Sequence, residues 1–150
     1  MPVGQLKNRL VLTSDPIMEL FRKAFTPPKG SDTEFPDLGK VMVWVQDQVE
    51  SEHVAVFVTH EFGKFTGLAI CQDWEDPFSG RGWVLQYYCE NPRHSDELMK
   101  VCRDWFKEVR HCPKVRILNF TGRADDVHMR RFRKVGIGKR LAGLIEYDVI

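Results

Sequence analysis

Residues Trp83 to Val109 read WVLQYYCENPRHSDELMKVCRDWFKEV, and the reading of this stretch decides the fold. Trp83 to Glu90 is an apolar and aromatic run of strand length. A proline-containing turn follows. Leu98, Val101, Cys102, Trp105, Phe106 and Val109 then recur at helical spacing, one apolar face over three turns. Ser95 is the expected N-cap, with Asp96 and Glu97 in the first turn, where carboxylates favour the helix dipole. A strand running into a helix start is where many α/β proteins hold anionic cofactors, because free backbone N–H groups point there. Yet this turn holds no glycine and carries two acidic residues. Its layout suits an anionic ligand, and its chemistry opposes one.

Upstream, Leu6 to Thr13 alternates loosely and reads as a first strand. Asp15-Pro16 reads as an N-cap followed by proline at the first helical position. Ile17, Leu20, Phe21, Ala24 and Phe25 continue at helical spacing, and Pro27-Pro28-Lys29-Gly30 ends that helix. Leu38, Val41, Met42, Val45 and Val49 keep the same period, although the β-branched run VMVWV would also suit a buried strand. His53 to His60 and Phe65 to Gln72 read as a β-hairpin closed by Glu61-Phe62-Gly63-Lys64. Downstream, Val115 to Phe120 reads as a short buried strand, Asp125 to Lys134 as a basic helix ended by Gly136, and Leu141 to Ile150 as a final strand. Antiparallel strands therefore precede a strand–helix–strand crossover, which predicts a mixed sheet in one domain over residues 1–150.

The chain has 150 residues, 43% of them hydrophobic and 29% charged, which fits a folded globular domain. A formal charge of +1 gives no whole-molecule attraction to nucleic acid or anionic membrane. Charge is nonetheless segregated. Arg123 to Arg140 holds seven Lys/Arg against two Asp, a net of +5, so the remainder carries −4. That segment is the candidate surface for nucleic acid, cofactor phosphates or an acidic protein. The longest apolar run, Val41 to Val45, is too short to span a bilayer. The N-terminus lacks a signal-peptide core, so the expected location is the cytoplasm. Cys71, Cys89, Cys102 and Cys112 form no CxxC pair, which predicts neither a disulfide framework nor a metal site, even with His94 and His111 nearby. Cys102 is expected in the core. Trp44, Trp74 and Phe78 are candidates for an interface.

The element order resembles the GNAT N-acetyltransferase superfamily over nearly the whole chain. Gly67 stands where the family's third strand often starts with glycine. Asn91-Pro92-Arg93 resembles the turn after its fourth strand, and Asp125 to Ile137 resembles its last helix. Glu146-Tyr147 lies in a closing strand, also like the family. The resemblance implies an α/β (α+β) fold, a mixed and mostly antiparallel sheet of six to seven strands flanked by about four helices. It implies acetyl transfer from acetyl-CoA to an amine, with no covalent enzyme intermediate and no metal. On this basis Tyr88, Arg93, His94, Ser95 and Arg131 are the cofactor-binding candidates. Glu90, at the end of the fourth strand, is the candidate proton acceptor, with Asp73, Glu75 and Asp76 behind it. His128 is a second acid–base candidate, because imidazole titrates near neutrality.

Two departures from the family pattern matter. Arg93-His94-Ser95-Asp96-Glu97-Leu98 replaces the pyrophosphate loop, and both of that loop's glycines, which let backbone approach phosphate closely, are missing. The last-helix tyrosine that often protonates the departing thiolate aligns with Phe132, which has no proton to give. The expectation is an acyltransferase-like protein with a degenerate cofactor loop and lost or altered catalysis. The alternatives are a non-catalytic structural or protein-interaction module and a nucleic-acid-associated protein using residues 123–140. Tailed phages encode small divergent proteins of this resemblance, some in virion gene clusters, which gives the module a concrete form in a virion or host cytoplasm.

Overall fold

The computed structural model describes residues 3–7, 14–26, 37–73, 81–112 and 114–117. Its elements run β1 (Val3–Leu6), α1 (Asp15–Phe25), α2 (Leu38–Glu50), β2 (Val54–Glu61), β3 (Lys64–Asp73), β4 (Arg81–Cys89), α3 (Pro92–Asp104) and β5 (Lys114–Ile117). The strands form one sheet in chain order, β1 to β5. The first four pair antiparallel, and β5 lies parallel to β4 after the α3 crossover. The sheet is thus mixed and mostly antiparallel, as the sequence predicts. The expected basic helix at 125–134 and final strand at 141–150 lie outside the described residues, as do His128, Arg131 and Phe132.

Period-two alternation splits β2 between two cores. Val54, Val56 and Val58 face α1 and α2, joined by Leu68, Ile70 and Leu85. Ala55 and Phe57 face α3, joined by Ala69, Cys71, Val84 and Tyr87. Residues Val54 to Thr59 are all buried, so the strand is apolar on both faces and reads as one run, Thr59 excepted.

α1 buries Ile17, Leu20, Phe21, Ala24 and Phe25, the five residues its periodicity selects. Its cap is Ser14, one residue earlier than the Asp15-Pro16 signature suggests. α2 starts at Asp37, whose carboxylate accepts from the Lys40 N–H at 3.2 Å. The hairpin turn places Phe62 (φ 50°) and Gly63 (φ 73°) in the left-handed region, as a two-residue turn between twisted strands requires. The first strand is a correction. Its described part spans Val3–Leu6, paired against Val56 to Thr59, so it starts earlier than Leu6, while residues 8–13 of the expected strand lie outside the described residues.

α3 departs from its expected form at both ends. It begins at Pro92 with Asn91 as N-cap, so Ser95 is not the cap and Asp96 and Glu97 lie beyond the first turn. Its last turn, Trp105–Val109, widens to π geometry, with Arg110 N–H donating to the Trp105 carbonyl at 3.0 Å. One extra residue per turn rotates the face. Trp105 and Phe106 stay buried, their rings 4.9 Å apart, while Val109 turns out to 58% exposure instead of joining the apolar stripe. Gly82 of β4 lies against the Phe106 ring, in space a Cβ would occupy. All four cysteines are free, and Cys102 is fully buried. No helix of the described residues is long and apolar enough to cross a membrane.

Candidate functional site at the end of β4

β4 is tied to β3 along its length, from Asp73↔Gly82 to Gly67↔Cys89. The register shifts where Ile70 opposes Gln86 and Cys71 opposes Val84, leaving Leu85 as a bulge. Bulges bend their strand and recur beside active sites. The described ladder with β5 stops at Val84↔Ile117, immediately before that bulge. The end of β4 therefore carries the candidate residues past a bend and into the start of α3.

Alternation sends those residues to two sides. Tyr88 and Glu90 point toward α1. The Glu90 carboxylate accepts from the Tyr88 hydroxyl at 2.9 Å and faces the Lys23 ammonium at 3.3 Å. Its own N–H donates to the Thr66 carbonyl at 2.8 Å, which extends the β3 ladder by one residue. Glu90 is thus a half-exposed, ionically partnered carboxylate. Asp73, the other described carboxylate candidate, sits at the opposite end of the sheet and does not join it.

On the other side, Tyr87 and Ser95 meet in the core, hydroxyl to hydroxyl at 2.5 Å. Ser95 is 1% exposed, so its hydroxyl serves the packing of α3 on β4. Arg93 is exposed. The His94 ring is half-buried, and its Nδ1 is a buried nitrogen with no hydrogen-bond partner.

The helix start itself is closed from within. Pro92 has no N–H to offer. The Arg93 N–H donates to Asn91 Oδ1 at 3.0 Å, and the His94 N–H to the Asn91 carbonyl at 3.0 Å. Asn91 Nδ2 in turn donates to Glu61 Oε2 at 2.8 Å. The groups that would grip a pyrophosphate are therefore occupied, and a carboxylate stands beside them. An anion there would meet Glu61 with a repulsion of about 1 kcal/mol per charge pair at ~4 Å in water-like surroundings. Among the described residues, Arg93 and the His94 nitrogen are what remains of a phosphate cradle, and these two alone do not fit a CoA pyrophosphate.

The sequence assigns Glu61 to the hairpin turn and Asn91 to the family turn, and puts neither these nor Lys23 among the site residues. Lys23 and Glu61 carry no local signal, since tertiary pairing alone brings them here. Asn91-Pro92 does carry one: it is a cap followed by proline, the same signature as at the start of α1.

A second polar cluster lies at the other end of the sheet. Asp73 accepts from Arg110 Nε at 2.5 Å and lies 3.0 Å from His53 Nδ1. With its side chain only 8% exposed, Asp73 fastens the end of α3 to β2 and β3. Burial pushes the neighbouring Cys112 thiol up; the Asp73 charge adds to this and Arg110 opposes it.

No protein-family model matches the sequence, and no curated protein resembles it closely enough to count as a relative. Solved structures do match. An aminoglycoside acetyltransferase from an uncultured soil metagenomic sample, in complex with sisomicin, superposes with a TM-score of 0.67 at 15% identity, over 99% of this chain and 95% of its own. A ribosomal-protein-alanine N-acetyltransferase from Brucella melitensis biovar Abortus 2308 gives 0.63 at 14% identity, over 100% and 99%. An aminoglycoside N-acetyltransferase in complex with CoA gives 0.62 at 13% identity, over 99% of each chain. The fold is that of the GNAT N-acetyltransferases. At these identities the likeness is one of scaffold, and function has to be argued from the site.

Proposed function

We propose that this chain is an acyltransferase-like protein of the GNAT fold that has lost acetyl transfer from acetyl-CoA and acts as a protein-interaction module. The observation that carries this reading is the start of α3, where Asn91 occupies the Arg93 and His94 N–H groups and Glu61 holds Asn91. A pyrophosphate would have to displace a cap worth about 1 kcal/mol and accept a carboxylate neighbour. The substitution of Phe132 at the tyrosine position adds independent support from sequence. A virion or host-interaction role of a phage protein is the concrete form of the module.

Calorimetric titration with acetyl-CoA tests it. The expected result is no binding at millimolar cofactor. Submillimolar binding that Arg93→Ala abolishes would overturn the proposal.

One observation favours an active enzyme as the second reading. Glu90 stands at the end of β4 and accepts from the Tyr88 hydroxyl, and a carboxylate at that position supports reading it as the base for an attacking amine. In that reading His128 is a further acid–base group, and Tyr88, Arg93, His94 and Arg131 are its cofactor contacts, with Ser95 left to its packing against Tyr87. Aminoglycosides, named with two of the solved neighbours, are then the first amine acceptors to try. Acetylated product that disappears with Glu90→Gln is the outcome this reading requires.

A further inference from the structure

The last turn of α3 takes in one residue more than an α turn. The Arg110 N–H donates to the Trp105 carbonyl at 3.0 Å, five residues back, and the Cys112 N–H to the Phe106 carbonyl at 2.7 Å, six residues back. Between them His111 holds φ 55°, in the left-handed region that suits glycine. Asp104 to Arg110 contain no glycine or proline, so nothing local imposes this geometry. Single π turns inside α-helices are rare, and they recur at functional sites.

The extra residue exchanges two side chains. Val109 follows Leu98 at i+11, which in an unbroken α-helix is three turns plus about 20°. Val109 would then stand on the face that buries Leu98, Cys102 and Trp105, and Arg110 would lie about 100° further round. One more residue in the turn brings Arg110 close to the place Val109 would take, and moves Val109 off that face. The contacts match. Val109 is exposed, while Arg110 Nε donates to Asp73 at 2.5 Å and Arg110 Nη2 lies 3.2 Å from His53 Nδ1. Burial of a valine has been exchanged for a guanidinium on a nearly buried carboxylate.

We infer that the end of α3 is a two-register device. In the clasped register, the one observed, the π turn seats Arg110 on Asp73. In the released register the turn is α-helical, Val109 rejoins the apolar face and Arg110 swings out to solvent. His111 absorbs the one-residue change. His53 lies 3.0 Å from Asp73 and belongs to the sheet side, so the carboxylate keeps a partner when Arg110 leaves. Apolar burial and charge pairing thus compete for one position on the helix, and each register satisfies only one of them. Helix register shifts of this kind run in microseconds to milliseconds. The chain leaves α3 for β5, the strand paired with β4, so the register sets the slack in that connection.

NMR of the full chain with labelled valine methyls tests this, with thermal melts confirming that each variant folds. In the parent, a soluble paramagnetic probe should broaden the Val109 methyls as it does those of an exposed residue. Arg110→Ala removes the clasp, and the broadening should fall several-fold as Val109 turns inward. Arg110→Gln keeps most of the side chain and loses the charge, and it carries the same comparison should Arg110→Ala fail to fold. Urea denaturation supplies a second readout. Val109→Thr, similar in shape with a hydroxyl added, should leave the parent's midpoint unchanged and lower that of the Arg110 variant, where the hydroxyl becomes buried. Val109 methyls equally broadened in the parent and both Arg110 variants would overturn the inference. So would a Val109→Thr effect that is the same with and without Arg110.

Discussion

Gly67 and Asp73 show how much of this structure rests on single side chains. At Gly67 a Cβ would lie 2.5 Å from Thr59 Oγ1 and 3.0 Å from the Tyr88 carbonyl, which explains why β3 carries glycine where it enters the sheet. Gly67→Ala should cost about 1–3 kcal/mol through overpacking. Thr59→Ala in the same chain should return part of that loss, because it removes the nearer atom. Urea denaturation of both variants beside the parent decides it, and a Gly67→Ala protein as stable as the parent would contradict the close approach. At Asp73 the argument is electrostatic. Its carboxylate holds Arg110, whose side chain is 24% exposed, so Asp73→Ala strands a largely buried cation. The expected destabilisation is about 3 kcal/mol, the low end for a broken buried pair because Arg110 reaches some water. An Asp73→Ala loss below about 1 kcal/mol, the range of a surface pair, would mean that the clasp is ornamental.

Among the elements, legibility followed periodicity. α1 and the hairpin are readable because their apolar residues keep a helical or alternating period from end to end; α2 keeps the helical period too, but its VMVWV run also suits a strand, and the structure decides for the helix. The start of α3 was misplaced because its apolar residues begin only at Leu98, while Pro92 to Ser95 make a polar turn that no periodicity marks. The Asn91-Pro92 signature marks it, but the same residues also match the turn that the family resemblance implies, which lies outside a helix. The π turn at Trp105–Val109 has no sequence signal, so Val109 was assigned to a face it leaves. The turn Phe62-Gly63 yields a prediction at the same scale. Phe62 is 95% exposed and holds φ 50°, so it contributes strain and almost no packing. Left-handed backbone costs an ordinary L-residue about 1–2 kcal/mol, and asparagine tolerates it best after glycine. Phe62→Asn should therefore stabilise the protein by roughly 0.5–1 kcal/mol, read as a raised urea midpoint with unchanged slope. A lowered midpoint would show that Phe62 has a contact in the folded protein that its exposure conceals.

Among the described residues, one sheet separates two cores, and α3 is the helix that covers the second. It is fastened at each end of the sheet, by Asn91 to Glu61 and by Arg110 to Asp73. Between these clasps its packing on β3 is apolar, and there Cys71 is fully buried. Burial, reinforced by the Cys102 thiol beside it, pushes the Cys71 thiol well above its ordinary value of 9.0. Above that pH an unfolded chain releases the Cys71 proton while the folded chain keeps it. The folded state then binds more protons, so its stability falls as pH rises, by at most about 1.4 kcal/mol per pH unit for one group. Below pH 9.0 both states hold the proton and the contribution is complete. Urea denaturation at intervals from about pH 8 to 11 should show this decline, and Cys71→Ala should flatten it by the share of one thiol. An unchanged slope in Cys71→Ala, or rapid alkylation of Cys71 in the folded protein at neutral pH, would mean that the α3 layer opens to solvent. The two clasps would then not hold the second core shut, and the closed start of α3, on which the proposed loss of cofactor binding rests, would lose its support.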